Sequence, residues 1–161
     1  YVPIETGQSR SDLFVTGSVN RDTDKLRTFF NSNSEKLVKA FDVTKNILGL
    51  KEDHKLWIRN IRGSTCGHYQ RLGKRVSVDI RSYNLKQIIS TIIHELTHAK
   101  QYETGMLESD PKKRGWRLWK KKSFRFYKSS QNHKKYYESP WEVDARASEK
   151  KYIDQVMKEV K

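Results

Sequence analysis

The sequence predicts an α+β domain, with helices packed on a small antiparallel β-sheet. Three observations carry this. Apolar residues recur at helical spacing over 26–47, 88–99 and 140–156. Between the first two stretches, from Leu56 to Arg81, the spacing changes to two. The 161 residues suit one domain, and the 11% aromatic share argues against disorder, although only 35% is hydrophobic and 32% is charged.

Residues 1–20 hold Pro3, Gly7, Ser9, Ser11, Gly17 and Ser18, which predicts an irregular N-terminal arm. A helix capped by Asp22 or Thr23 follows, with Leu26, Phe29 and Phe30 on one stripe. Asn31 to Ser34 read as an interruption. A second helix runs from Glu35 to Ile47, turning Leu37, Val38, Phe41 and Val43 inward and ending near Gly49.

Leu56–Arg59 then reads as a strand, 63–67 as a turn and His68–Leu72 as a second strand. After Gly73-Lys74, the segment Val76–Arg81 alternates Val76, Val78 and Ile80 against Ser77, Asp79 and Arg81. The next helix, from an Asn84 cap to a Gly105 stop, carries Ile88, Ile89, Ile92, Ile93, Leu96 and Ala99 on a broad buried face. The last helix starts near Pro140, with Ala145, Ala147, Tyr152, Ile153 and Val156 inward.

The helix after Asn84 contains His94-Glu95-Leu96-Thr97-His98. Residues four apart on a helix share a face, so His94 and His98 can reach one metal ion, with Glu95 beside it. A catalytic zinc takes three protein ligands and keeps one position open. Glu142 is the first choice for the third, though Ser139 and Glu142 also spell a capping box, S-x-x-E. Asp144, His133 and His68 are further candidates. Zinc acidifies a bound water, and Glu95 stands as its general base. Tyr102, Tyr136, Tyr137 and His133 are candidate donors to the developing oxyanion. Asp144 and Asp79 are candidates for orienting a ligand histidine.

The net charge is +14, from 33 Lys and Arg against 19 Asp and Glu, which favours polyanionic partners. Residues 111–137 concentrate it, with 11 Lys or Arg and no acid, among seven aromatic residues. Lys112, Lys113, Arg114, Arg117, Lys120, Lys121, Lys122, Arg125 and Lys128 are the candidate contacts to DNA, RNA or an acidic target. The alternatives are a solvated basic face, a β-hairpin whose rings pack on the core, or, for Trp116 and Trp119, the inner side of a short helix. Cys66 is the single cysteine, so no intramolecular disulfide forms. No run reaches membrane-span length and no signal peptide is visible, which reads as a soluble, cytoplasmic protein. The start at Tyr1 rather than Met fits a processed product or an excised fragment.

The segment His94-Glu95-Leu96-Thr97-His98-Ala99, followed by Pro140-Trp141-Glu142-Val143-Asp144-Ala145, resembles the gluzincin type of zincin metallopeptidases. It is similar to small metallopeptidase-like proteins of bacteriophages and more distantly to the ImmA/IrrE peptidases. The resemblance covers roughly residues 76–150. It implies a zincin-like fold with the H-E-x-x-H helix buried beneath the sheet, and Zn2+ held by His94, His98 and Glu142. It also implies peptide hydrolysis, with residues 76–81 as the edge strand that pairs with an extended substrate. If the chain is phage-encoded, host cytoplasm or virion would be its location. The chain departs from these families in the 44 positions separating His98 from Glu142. SprT-like proteases, which cut proteins crosslinked to DNA, also join H-E-x-x-H to a basic surface; their third histidine finds only His133 here. The competing expectation is a nucleic-acid or protein-binding module on the same scaffold, with structural or vestigial zinc.

Overall fold

In a computed structural model the chain forms two small sheets and four helices, described here for residues 3–5, 22–59 and 66–161. The elements are β1 (Pro3–Glu5), α1 (Asp22–Leu48), β2 (Lys55–Arg59), β3 (Gly67–Gln70), β4 (Arg75–Asp79) and α2 (Leu85–Glu103). They continue with β5 (Leu107–Ser109), β6 (Trp116–Trp119), β7 (Lys122–Arg125), α3 (His133–Tyr137) and α4 (Pro140–Val160). The predicted α+β class holds. No helix among the described residues is long and apolar enough to cross a membrane.

The first sheet has the order β1-β2-β4-β3. It is mixed rather than wholly antiparallel, because β2 and β4 run parallel, with Leu56 opposite Val76 and Ile58 opposite Val78. Two expectations fail here. The arm expected to be irregular contributes β1, which pairs with β2; the rest of that arm, the side chains of Asp22 and Thr23 and most of the 63–67 turn lie outside what is described. The segment expected at the edge, β4, is interior, and β3 is the edge strand on that side. Ser77 accordingly is fully buried along with Val76 and Val78, while Asp79 and Arg81 on its side of the strand stay half-buried.

The expected break at Asn31–Ser34 is also absent: α1 is one helix of 27 residues. Its buried positions Leu26, Phe30, Ser34, Leu37, Phe41, Thr44 and Leu48 step by three or four, so Ser34 lies on the inner stripe. Weak helix propensity costs only tenths of a kcal/mol per residue. Burying Phe30 and Phe41 contributes about 1.5–3 kcal/mol each, so packing decides the outcome. The helix stops where Gly49 takes φ +67.

The sheet's Leu56, Ile58, Val76, Val78 and Ile80 meet α1 and α2 in one core, closed from the far side by Val156 and Val160 of α4. Asn84 caps α2, its side chain accepting from Gln87 N at 3.0 Å. All six residues expected on the buried face of α2 are buried. On α4, Ala145 and Val156 face inward as expected, Tyr152 and Ile153 are half-buried, and Ala147 is exposed instead.

Candidate metal centre

α2 and α4 lie side by side, which sets the middle of α2 against the first two turns of α4. Glu142 lies across both histidines. Its Oε2 is 2.9 Å from His94 Nε2, and its Oε1 is 3.0 Å from His98 Nε2. The capping alternative fails, since Ser139 makes no side-chain cap bond and its hydroxyl instead donates to Lys135 O at 2.9 Å. One ligand atom from each of His94, His98 and Glu142 lies within 4.8 Å of the others. Two imidazole nitrogens and one carboxylate oxygen are a donor set that zinc accepts.

The outward nitrogens are also engaged. His94 Nδ1 is 2.8 Å from Glu149 Oε2, and Ser90 Oγ donates to Glu149 Oε1 at 2.8 Å. His98 Nδ1 is 2.9 Å from Gln101 Oε1. Gln101 Nε2 in turn donates to Trp141 O at 3.0 Å and to Asp144 Oδ2 at 2.9 Å. Such partners hold the proton on Nδ1 and leave Nε2 for a metal. The residues therefore fit a zinc ion through the nitrogens that face Glu142.

The electrostatics agree with this geometry. Burial opposes charge on His94, but its bonds to Glu142 and Glu149 outweigh that and hold it at about 10. Burial would raise Glu142, yet both histidines pull it down to about 2. Burial opposes charge on His98 as well, but its bond to Glu142 together with the Glu95 and Glu142 charges raises it. Glu95 is only 7% exposed, and burial pushes its carboxyl up against the pull of His98 and His94. A raised carboxyl suits proton transfer near neutral pH.

A cleft of about 630 Å³ opens over Glu95, His98 and Glu142. β3 forms one wall and the second sheet, β5-β6-β7, contributes to the other. Gly67 brings β3 against α2: a Cβ there would lie 2.6 Å from Thr91 Cγ2 and 3.5 Å from Glu95 Cγ. Among the candidate oxyanion donors, Tyr136 is hydrogen-bonded to Glu142 and lines the cleft. Burial, then the nearby Glu142 and Glu95 charges, raise its hydroxyl well above the usual tyrosine value. Tyr102 lines the cleft as well, its ring 6.1 Å from Tyr69.

Tyr137 and His133 are not part of this lining. They are exposed and stacked on each other at 6.1 Å, with Arg146 3.5 Å from the Tyr137 ring centroid. His68 lines the cleft but is not among the three clustered ligands. Asp144 sits one step further out than expected, on Gln101 rather than on a histidine. Asp79 is corrected, because its carboxylate takes Arg81 N at 3.0 Å and Arg81 Nε at 2.8 Å. Glu149 and Gln101 were not expected. Their signal was the spacing alone, Glu149 two turns beyond Glu142 and Gln101 three residues beyond His98.

The basic stretch forms the hairpin of β6 and β7, added to β5. Lys120 and Lys121 make its turn at φ +49 and +71, so of the alternatives the β-hairpin is the one formed, and Trp116 and Trp119 lie on a strand and not in a short helix. Phe124 and Phe126 pack on Trp141, each 6.4 Å away between ring centres. Other rings lie under the segment's own cations, Lys113 at 4.6 Å from Trp116 and Arg125 at 5.1 Å from Tyr127. Lys112, Lys113, Arg114, Lys120, Lys121, Lys122, Arg125 and Lys128 are exposed, while Arg117 is half-buried and lines the cleft. Comparison with protein-family models, curated proteins and solved structures returns no match.

Proposed function

We propose that this chain is a zinc metallopeptidase of the gluzincin type, on a zincin-like fold. One observation carries the reading: the Glu142 carboxylate lies between the Nε2 atoms of two histidines one turn apart, with Glu95 buried beside them. A structural zinc site has no use for that fourth, acidic group. Zinc bound there would supply Lewis-acid polarisation of a carbonyl and a water of lowered pKa.

The chain's own residues supply the rest. Glu95 accepts a proton at its carboxylate and returns it to the leaving amine, a task that its raised pKa suits. Tyr136 keeps its proton at neutral pH and can donate it as a hydrogen bond to the oxyanion. Glu149 and Gln101 fix the histidine rings. β3, the sheet edge beside the cleft, offers backbone groups to an extended peptide. Glu95→Gln tests this. The variant should keep its zinc and lose hydrolysis of an unfolded protein substrate; undiminished hydrolysis would refute the role of Glu95.

A second element of the proposal is a polyanion surface on the β6–β7 hairpin and its flanking loops, supported by their eight exposed cations. With most of its rings packed on Trp141 or under cations, this surface would act through charge more than through base stacking. Affinity for nucleic acid should then fall steeply as salt rises. Binding that ignores salt would leave the hairpin a solvated face.

A further inference from the structure

The register of the second sheet decides what the cleft offers a ligand. Ser109 pairs with Arg117, and Arg117 with Phe124, so these three side chains share one face. Ser109 and Arg117 line the cleft, which turns that face toward the metal centre. On the opposite wall Arg71, just past the end of β3, also lines the cleft.

Each guanidinium lies against a ring, Arg117 at 4.6 Å from the Phe126 centroid and Arg71 at 4.8 Å from that of Tyr102. Arg117 also donates from Nη1 to Trp116 O at 3.2 Å. No carboxylate among the described residues lies within ion-pair distance of either arginine. Glu95 and Glu142 are the only acids in the described lining, and both belong to the metal centre. A stacked guanidinium is held in plane and still presents donors suited to a carboxylate.

We propose that the cleft selects acidic peptides, with Arg117 and Arg71 gripping carboxylate side chains on either side of the bond placed over Glu95. This rests on the peptidase reading for its placement of the scissile bond, but the selectivity is a property of binding. An acidic peptide fits better than nucleic acid here, because the cleft borders a strand edge and its two arginines stand on opposite walls. The other eight cations of the candidate polyanion surface are exposed, four on the hairpin and four on the loops that flank it.

The experiment measures fluorescence anisotropy on zinc-loaded Glu95→Gln protein, so that no probe is consumed. The probes are labelled decapeptides of alternating Glu-Ala, Gln-Ala and Lys-Ala, and a single-stranded oligothymidine of equal length. The Glu-Ala peptide should bind about tenfold or more tightly than the Gln-Ala peptide. Arg117→Gln and Arg71→Gln should each erase most of that preference. Arg117→Lys, which keeps the charge but not the fork, should lose part of it. The double change Lys36→Gln/Lys39→Gln removes two exposed charges of α1, outside the cleft and the hairpin, and should leave the preference intact.

Equal binding of the Glu-Ala and Gln-Ala peptides would overturn the proposal. So would a Lys36→Gln/Lys39→Gln variant that loses as much preference as Arg117→Gln, since the overall charge would then explain the effect. Tighter binding of the oligonucleotide, lost equally in Arg117→Gln, would assign the cleft to nucleic acid instead. Thermal melts confirm folding of each variant. If selectivity holds while the wild-type protein hydrolyses no peptide, the peptidase reading fails and the acidic-peptide cleft stands.

Discussion

Glu149 Oε2 lies 2.8 Å from His94 Nδ1, two helical turns past the carboxylate that faces the same ring's Nε2. One helix therefore supplies both a candidate ligand and the group that orients another ligand. Removing such a supporting carboxylate typically costs 10–100-fold in metal affinity. Glu149→Ala should weaken zinc binding by about that factor while leaving one site per chain, as measured by competition with a chromophoric chelator. An unchanged affinity would mean that Glu149 merely packs there.

Gln101 supports the other histidine, and it is buried, at 1% exposure. Gln101→Leu keeps the volume but takes the acceptor from His98 Nδ1 and the amide donor from Asp144 Oδ2. Unsatisfied buried polar groups cost about 1–3 kcal/mol. The melting temperature should fall accordingly, and zinc affinity should fall with it. A loss of stability with zinc affinity untouched would confine Gln101 to packing.

Gly67 lets β3 approach the metal helix. A methyl group there would lie 2.7 Å from the backbone oxygen of Ser77, which its strand pairing holds, and 2.6 Å from the side-chain Cγ2 of Thr91. Gly67→Ala should destabilise the protein by about 1–3 kcal/mol, read from denaturant unfolding. Because the displaced strand forms a cleft wall, KM for peptide substrates should rise more than kcat falls. Wild-type stability in this variant would contradict the close approach.

Zinc binding should depend on pH with a definite sign. With His94 held at about 10, the metal-free protein carries a proton on that ring at pH 7. Binding must displace it, so affinity should rise with pH between 6 and 9, with proton release visible by calorimetry in buffers of different ionisation enthalpy. Without metal, the raised His94 value stabilises the fold fully below its unfolded value of 6.5 and is lost as pH rises through about 10. The lowered Glu142 value stabilises above 4.5 and is lost as pH falls through about 2. The melting-point gap between metal-free wild type and His94→Gln should therefore be widest between 4.5 and 6.5. A gap that widens toward pH 10 would contradict the pairing.

The parts of this site written as local periodicity were legible beforehand. His94, Glu95 and His98 follow from helical spacing, and Glu142 from a second short motif. Glu149 and Gln101 were not legible, because their role depends on how α2 and α4 are set side by side. Likewise β3 and β4 both alternate, and only their pairing decides which becomes the edge. The continuous α1 shows the same limit: Ser34 looks like a helix breaker until the stripe on either side of it is seen to be buried. In the basic segment, composition marked the charge correctly, but only strand register separates Arg117, in the cleft, from the exposed lysines.

The central claim, that His94, His98 and Glu142 hold one catalytic metal, is tested most directly by metal content. Purified wild-type protein supplied with zinc should carry about one ion per chain, and His94→Ala, His98→Ala and Glu142→Ala should each lose it after dialysis. A wild-type protein that retains no zinc, or a Glu142→Ala variant that holds it as tightly as wild type, would contradict the account.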